Sequence, residues 1–293
     1  MSPAAAPRVC PVCQGQLSSR LARWLRRCDA CGLWASDLAP RTDAGASLDE
    51  THRAEGLAPL RKANFETVLD LLSELGPLAG RRVVDVGCAH GWFLEVATVR
   101  GMVACGVEPD VDVAETAIRR KLSVRVGPFP DVVADTDRYD VIAFNDVFEH
   151  LVDPHAVLSA CAQRLAPGGH LVLNLPSSQG VLYRVACALA RAGVRGPLER
   201  LWQRDFPSPH LWYFDARNLA RLATPHGFRL ERTARLATIR LSGLWPRLVM
   251  DRGTSRVKAA GIFAALALGY PGLRWLLPPD VMVQIYARGP TRR

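Results

Sequence analysis

Residues 82–94 read Arg82-Val83-Val84-Asp85-Val86-Gly87-Cys88-Ala89-His90-Gly91-Trp92-Phe93-Leu94. The β-branched run at 83–86 predicts a short strand, Gly87 and Gly91 break it, and the apolar run from Trp92 predicts a helix. A nucleoside can lie against backbone only where side chains are missing, at the C-terminal end of a parallel strand, and these glycines supply that approach. About fifteen residues past Gly91 a second predicted strand, 102–107, ends in Glu108, whose carboxylate can accept both hydroxyls of a ribose. The turn is not G-x-G-x-x-G, and its strand carries Asp85, an acid poorly suited to face a pyrophosphate. A cationic ligand with an amino-acid tail suits Asp85 better.

Outward from this centre the elements alternate as an α/β fold requires. Upstream, Leu60, Phe65, Val68, Leu69, Leu72 and Leu75 recur at helical spacing and end at Gly76-Pro77, predicting a helix over 57–75 that covers the sheet. Downstream, a third strand at 123–126 runs into Gly127-Pro128-Phe129-Pro130-Asp131, where Asp131 is a candidate for adenine recognition. Later strands are expected at 228–235 and 281–287.

Val84-Asp85-Val86-Gly87-Cys88-Ala89-His90-Gly91 resembles motif I of the class I methyltransferases, and Gly106-Val107-Glu108-Pro109-Asp110 resembles their second motif. Tyr139-Asp140-Val141-Ile142-Ala143-Phe144-Asn145-Asp146-Val147-Phe148-Glu149-His150-Leu151-Val152-Asp153-Pro154 resembles the fourth-strand signature of the small-molecule branch. Leu165-Ala166-Pro167-Gly168-Gly169-His170-Leu171-Val172-Leu173-Asn174-Leu175-Pro176 resembles the turn and fifth strand. The resemblance covers about residues 60–293 and is densest between 83 and 176. It implies a Rossmann-like fold with a mostly parallel seven-stranded sheet. It also implies S-adenosyl-L-methionine as cofactor, bound by Asp85, Gly87, Cys88, Ala89, Gly91, Trp92, Phe93, Glu108, Asn145 and Asp146. Ala89 departs from the family, which usually has Gly there.

Methyl transfer from a sulfonium is an in-line displacement with a good leaving group, so positioning and nucleophile deprotonation are the tasks left to protein. His150 has a suitable imidazole for the latter; its other reading is a structural histidine anchoring the Glu149-His150 turn. Pro207-Ser208-Pro209-His210-Leu211-Trp212-Tyr213-Phe214-Asp215 resembles the H-x-x-Y-F segment of related small-molecule enzymes, which implies His210 and Tyr213 at the acceptor pocket. Phe214 reads as core.

The first forty residues carry different chemistry. Cys10-Pro-Val-Cys13 and Cys28-Asp-Ala-Cys31 form two C-x-x-C knuckles with fourteen residues between them, the spacing of a zinc ribbon. Four thiolates close the shell, so a structural rather than catalytic Zn2+ is expected. Residues 20–27 are basic and include Trp24; with Trp34 they read as braces of a module with little core, or as a contact for RNA or an anionic substrate. The predicted organisation is a zinc ribbon over 1–36, a linker over 37–55 and a methyltransferase domain over 56–293. Insertions that read as lids fall near 177–212 and 240–280, each with an apolar helix flanked by arginine (181–192 and 259–270). Such helices either pack on each other or touch a membrane interface; about twelve apolar residues are too few to span a bilayer of about 30 Å.

The net charge of +9 comes almost entirely from arginine spread along the chain, since Lys62, Lys121 and Lys258 are the only lysines. No apolar segment of the secretory type opens the sequence, so a cytoplasmic protein is expected, with peripheral contact at the inner membrane face as an option. Cys88, Cys105, Cys161 and Cys187 read as small buried hydrophobes. The function expected is methylation of a small-molecule or lipid-linked metabolite, such as a surface glycan sugar or a secondary metabolite. The alternatives are RNA methylation through the ribbon, against which stands the lack of an N/D-P-P-Y/F signature, and a scaffold that binds cofactor without turnover.

Overall fold

The computed structural model describes residues 9–39, 50–238, 245, 255–273 and 279–289. In chain order its elements are β1 (Leu17–Arg20), β2 (Ala22–Cys28), β3 (Trp34–Ser36), α1 (Glu50–Ser73), β4 (Arg82–Val86), α2 (Trp92–Val99), β5 (Val103–Glu108), α3 (Val111–Arg119) and β6 (Val124–Val126). There follow β7 (Tyr139–Asn145), α4 (Pro154–Arg164), β8 (Leu165–Pro176), α5 (Val181–Arg191), α6 (Gly196–Leu201), β9 (Trp212–Tyr213), α7 (Ala216–Ala223), β10 (Phe228–Leu236), α8 (Arg256–Leu273) and β11 (Val281–Arg288).

Seven strands form one sheet in the order β10-β11-β8-β7-β4-β5-β6. The five from β8 to β6 run parallel, β11 pairs antiparallel to β8, and β10, antiparallel to β11, runs in the direction of the other five. The order reverses at β4, flanked by β5 and β7, so the C-terminal ends of β4 and β7 splay into the crevice where such sheets bind ligands. Helix α1 covers one face as its spacing predicts: Phe65, Val68, Leu69 and Leu72 pack with Val83, Val141, Val172 and Ile285. It begins at Glu50, within the stretch read as linker, of which residues 40–49 lie outside the described residues.

The N-terminal strands are not a detached appendage. β1, β2 and β3 form an antiparallel sheet that continues into β9, with Trp34 opposite Tyr213 and Ala35 opposite Trp212. His155 of α4 ties down the first knuckle through Nε2, which donates to the Pro11 carbonyl at 2.8 Å.

The first insertion departs from expectation. The apolar face of α5 is buried against the ribbon: Tyr183, Ala186, Cys187 and Ala190 share a core with Leu25, Trp34, Trp202 and Tyr213. Trp24 meets Trp202 edge-on at 5.9 Å, so the ribbon's aromatics act as braces, as the sequence suggested. The second insertion holds α8, which runs through Tyr270-Pro271-Gly272 where the sequence predicted its end. The rest of the 240–280 prediction, at 240–244, 246–254 and 274–278, lies outside the described residues. Among the described residues no helix is long and apolar enough to cross a membrane.

Candidate active site

A cavity of about 750 Å³ lies at the C-terminal ends of β4, β5 and β7. Gly87, Ala89, Trp92, Glu108, Asn145 and Asp146, six of the ten residues the resemblance assigns to the cofactor, line it. Gly87 sits at φ 72°, and a Cβ there would come within 2.5 Å of Val147 Cγ2, so both conformation and space demand glycine. The Glu108 carboxylate points into the loop, where Oε2 accepts the Ala89 N–H at 2.9 Å and Oε1 accepts the Asp110 N–H at 3.0 Å. Burial raises its pKa, and these two N–H groups oppose the rise.

The other four predicted cofactor residues do not reach the cavity wall. Asp85 is buried beside it, its Oδ1 accepting from Asn145 Nδ2 at 2.9 Å, and Asn145 Oδ1 accepts in turn from Asn174 Nδ2 at 3.0 Å. This ladder spans β4, β7 and β8 and fixes the amide of Asn145. Burial lifts the Asp85 carboxyl to about 7, with Asn145 opposing. Cys88 is buried beneath the loop, Gly91 caps α2 at φ 74°, and Phe93 faces the opposite layer, edge-on to Phe65 at 5.4 Å. Residue identity marks these positions as part of the motif, but only the backbone path decides which of them face the ligand.

At the other end of the cavity a 3-10 turn, Phe148–His150, brings Glu149 and His150 toward His210. Glu149 Oε1 lies 3.9 Å from Nε2 of each histidine, and the two rings are 4.7 Å apart. His150 Nδ1 is 2.9 Å from the Pro209 carbonyl, which can only accept, so Nδ1 carries the proton and the lone pair sits on Nε2. His210 Nε2 accepts from the Gln203 amide at 2.9 Å. Burial, then the neighbouring His150, holds His210 well below the usual histidine range, so it is neutral. Glu149 is fully buried, neither carboxyl oxygen has a hydrogen-bond partner among the described residues, and burial reinforced by Asp146 pushes its pKa far up. The three side chains present ligand atoms within 4.8 Å of one another, a donor set that could also hold a divalent ion.

Tyr213 is a correction. It stacks on Tyr183 at 4.4 Å, donates to the Leu201 carbonyl at 3.3 Å and belongs to the core between ribbon and α5, not to the cavity. Phe214 is core, as read. Asp131 is exposed and does not line the cavity, whereas Phe129, edge-on to Phe144 at 6.0 Å, does. Sequence reasoning also missed Arg61, which lines the cavity and pairs with Asp146 at 3.1 Å. Its signal was present: Arg61 interrupts the apolar face of α1 one turn before Phe65.

The ribbon reaches this cluster through backbone. Ser36 Oγ donates to the His210 carbonyl at 2.6 Å, Ser36 N–H donates to Leu211 O, and Leu211 N–H donates to Glu149 O. In the ribbon itself the four Sγ atoms lie within 4.8 Å of one another, with Cys10–Cys31 at 3.5 Å and Cys13–Cys28 at 3.4 Å. Tetrahedral Zn–S bonds of about 2.3 Å place sulfurs about 3.8 Å apart, so the cluster fits a metal. Each knuckle closes alike, Gln14 N–H to Cys10 O and Gly32 N–H to Cys28 O, with Gln14 and Gly32 both at positive φ.

Residues 60–233 match the family described as "Methyltransferase domain", more than half of the chain. The chain belongs to the class I S-adenosylmethionine-dependent methyltransferase family. Ubiquinone biosynthesis O-methyltransferase of Vibrio atlanticus is 30% identical over 125 residues, covering 40% of this chain and 52% of that protein. The protein of the same description from Hahella chejuensis is 31% identical over 148 residues, covering 47% and 57%. The chain thus spans about half the length of the curated relatives it matches. Among solved structures, a SAM-dependent methyltransferase of Thermotoga maritima aligns with TM-score 0.54 at 16% identity over 82% of this chain and 94% of that one. A Haloferax volcanii methyltransferase, solved in complex with the Trm112 methyltransferase activator, aligns with TM-score 0.55 at 16% identity over 86% and 100%. Both show the same fold.

Proposed function

We propose that this protein transfers a methyl group from S-adenosylmethionine to an oxygen of a small-molecule or lipid-linked acceptor. One observation carries the reading: a single cavity has a carboxylate suited to ribose hydroxyls at one end and a buried histidine, glutamate and histidine cluster at the other. Its volume suits a nucleoside with an acceptor beside it. Glu108 would receive the ribose, Phe129 the adenine face, and Arg61 the carboxylate of the amino-acid tail. The cofactor, when bound, supplies an electrophilic methyl on sulfur.

The protein's task is to orient the acceptor and take its proton. His150 Nε2 holds the lone pair for that purpose, because Pro209 fixes the proton on Nδ1. Once His150 is protonated, Glu149 lies 3.9 Å away, and a cation beside it offsets the burial that otherwise disfavours its charged form. His210 borders the same space as a neutral partner positioned by Gln203. The relatives described as O-methyltransferases support an oxygen acceptor. The absence of an N/D-P-P-Y/F signature, with Asn145-Asp146-Val147-Phe148 in its place, favours a small acceptor over a nucleic-acid strand. The four cysteines we assign to a structural zinc ion that holds β1–β3 and, through Ser36, the His210 backbone.

The test is incubation with methyl-labelled S-adenosylmethionine and cell extract, followed by counting label in lipid, small-molecule and RNA fractions. Label in the first or second is expected, lowered about 10²–10⁴-fold in His150→Ala with cofactor affinity intact. Label confined to RNA, or full turnover in His150→Ala, would overturn the reading. Binding of cofactor with no label in any fraction would mark a scaffold.

A further inference from the structure

The turn after β8 separates two cavities. Pro176 lines the one just described, while Ser178 and Gln179 line a second of about 1070 Å³ between the ribbon and α5. The wall of this second cavity carries Arg20, Arg27, Arg184 and Arg191, with no aspartate or glutamate among its residues. Arg20 is paired with Asp29 at 2.9 Å, and Arg27 lies over the Trp34 ring at 5.5 Å. Among the described residues, no carboxylate is ion-paired to Arg27, Arg184 or Arg191. Buried Cys187 lines the same space, with Arg27 on the ribbon side and Arg184 and Arg191 on α5. A neighbouring recess, which shares Arg20 and Leu21 with this one, adds Arg23 and Arg195 and holds Glu199 paired with Arg204.

The guanidinium groups of Arg27, Arg184 and Arg191, with no carboxylate ion-paired to them among the described residues, match an oxyanion with several acceptor oxygens, since each presents a fork of N–H donors. The outward face of α5 adds a second property. Leu182, Val185 and Leu189 are exposed along it, and Val185 also lines the groove. A ligand with an anionic head and an apolar tail would satisfy both.

We propose that the ribbon and α5 together form a phosphate-binding groove that holds the phosphate or diphosphate of the acceptor while its hydroxyl lies at His150 in the adjoining cavity. The substrate class is therefore a phosphorylated metabolite, either soluble or carried on a lipid diphosphate. This assignment rests on the methyl-transfer reading for its place in catalysis, whereas the groove's anion binding does not.

The experiment is calorimetric titration of the zinc-loaded full chain with inorganic pyrophosphate, farnesyl diphosphate and S-adenosylhomocysteine, repeated for an Arg184→Ala/Arg191→Ala double variant. Both arginines are exposed, so the variant should fold, and its unchanged S-adenosylhomocysteine affinity serves as the control. The expected result is pyrophosphate binding by the parent chain, weakened at least tenfold in the variant and by added salt. Tighter binding of farnesyl diphosphate would assign the lipid-carried source, and equal binding the soluble one. No pyrophosphate binding by the parent, or binding the variant retains, overturns the groove. Failure of S-adenosylhomocysteine to bind while pyrophosphate binds overturns the methyl-transfer reading and leaves the groove standing.

Discussion

At Ala89 the backbone adopts φ 45°, a left-handed conformation that costs an L-residue with a Cβ about 1–2 kcal/mol. Glycine would remove that strain and lose about 0.4–1 kcal/mol through the entropy of the unfolded chain. Ala89→Gly should therefore stabilise the protein by a net of about 0.5–1 kcal/mol, read as a raised midpoint in urea unfolding with an unchanged slope. A lower midpoint would mean that the methyl group packs usefully. Asp85 sets a second expectation. Its carboxyl, lifted to about 7 by burial, is partly protonated at neutral pH, and a sulfonium in the adjoining cavity would favour the ionised form. Binding of S-adenosylmethionine should then release protons and weaken as pH falls from 8 to 6. S-adenosylhomocysteine, which lacks the positive sulfur, should change less over the same range, and calorimetry in two buffers of different ionisation enthalpy separates the cases. The motif around Asp85 was legible because glycines at strand ends have few other uses. That Asp85 lies behind Asn145 rather than on the cavity wall was not, since residue type does not report which way a strand's last side chains turn. Tyr213 was misread for the same reason.

Among the elements, α1 was legible from periodicity, β4 from its β-branched run and bounding glycines, and β7 and β8 from the resemblance to the family's strand signatures. The pairing of β3 with β9 was not: three residues meet two across a separation in sequence that no local pattern encodes. The partner of α5 was hidden likewise, since an apolar helical face announces burial but not against what. The core that results is dense in aromatics, with Trp202 fully buried against Trp24, Tyr183 and Tyr213. Trp202→Ala should cost about 3–5 kcal/mol at this seam. The loss should concentrate in the ribbon, α5 and α6, measured as faster amide hydrogen exchange there, with protection of β4, β7 and β8 unchanged. Uniform loss across the sheet would show that the ribbon and the main domain unfold as one unit.

Across the whole molecule the ribbon and the Glu149, His150 and His210 cluster are one mechanical chain, from Cys28 and Cys31 through β3 and Ser36 to the backbone of His210 and, by Leu211, of Glu149. A second tether runs from Pro11 through His155 to His226 and Ser159. The Pro11 carbonyl fixes a proton on His155 Nε2, so His155 Nδ1 accepts from His226 Nε2 at 2.8 Å and His226 Nδ1 accepts from the Ser159 hydroxyl at 3.0 Å. That chain needs a neutral His226, because in either direction of donation one of its ring nitrogens must accept. Burial, then His155, holds His226 below its ordinary value, so the folded seam binds fewer protons than the unfolded one. Its stabilisation is present above the unfolded pKa of about 6.5 and is lost as pH falls through the lower folded value. Removal of the metal and acidification should therefore act on the same part of the protein. With a chelator at pH 7.5, turnover should fall while S-adenosylhomocysteine affinity stays, because Glu108, Ala89 and Asn145 hang on β4, β5 and β7 rather than on the ribbon. Lowering the pH to about 5.5 should raise the rate at which the chelator extracts the metal, and His226→Gln should flatten that dependence. An extraction rate equally pH-sensitive in His226→Gln would place the proton on the cysteine thiols instead, and loss of cofactor binding on chelation would tie the ribbon to the whole sheet rather than to its acceptor end.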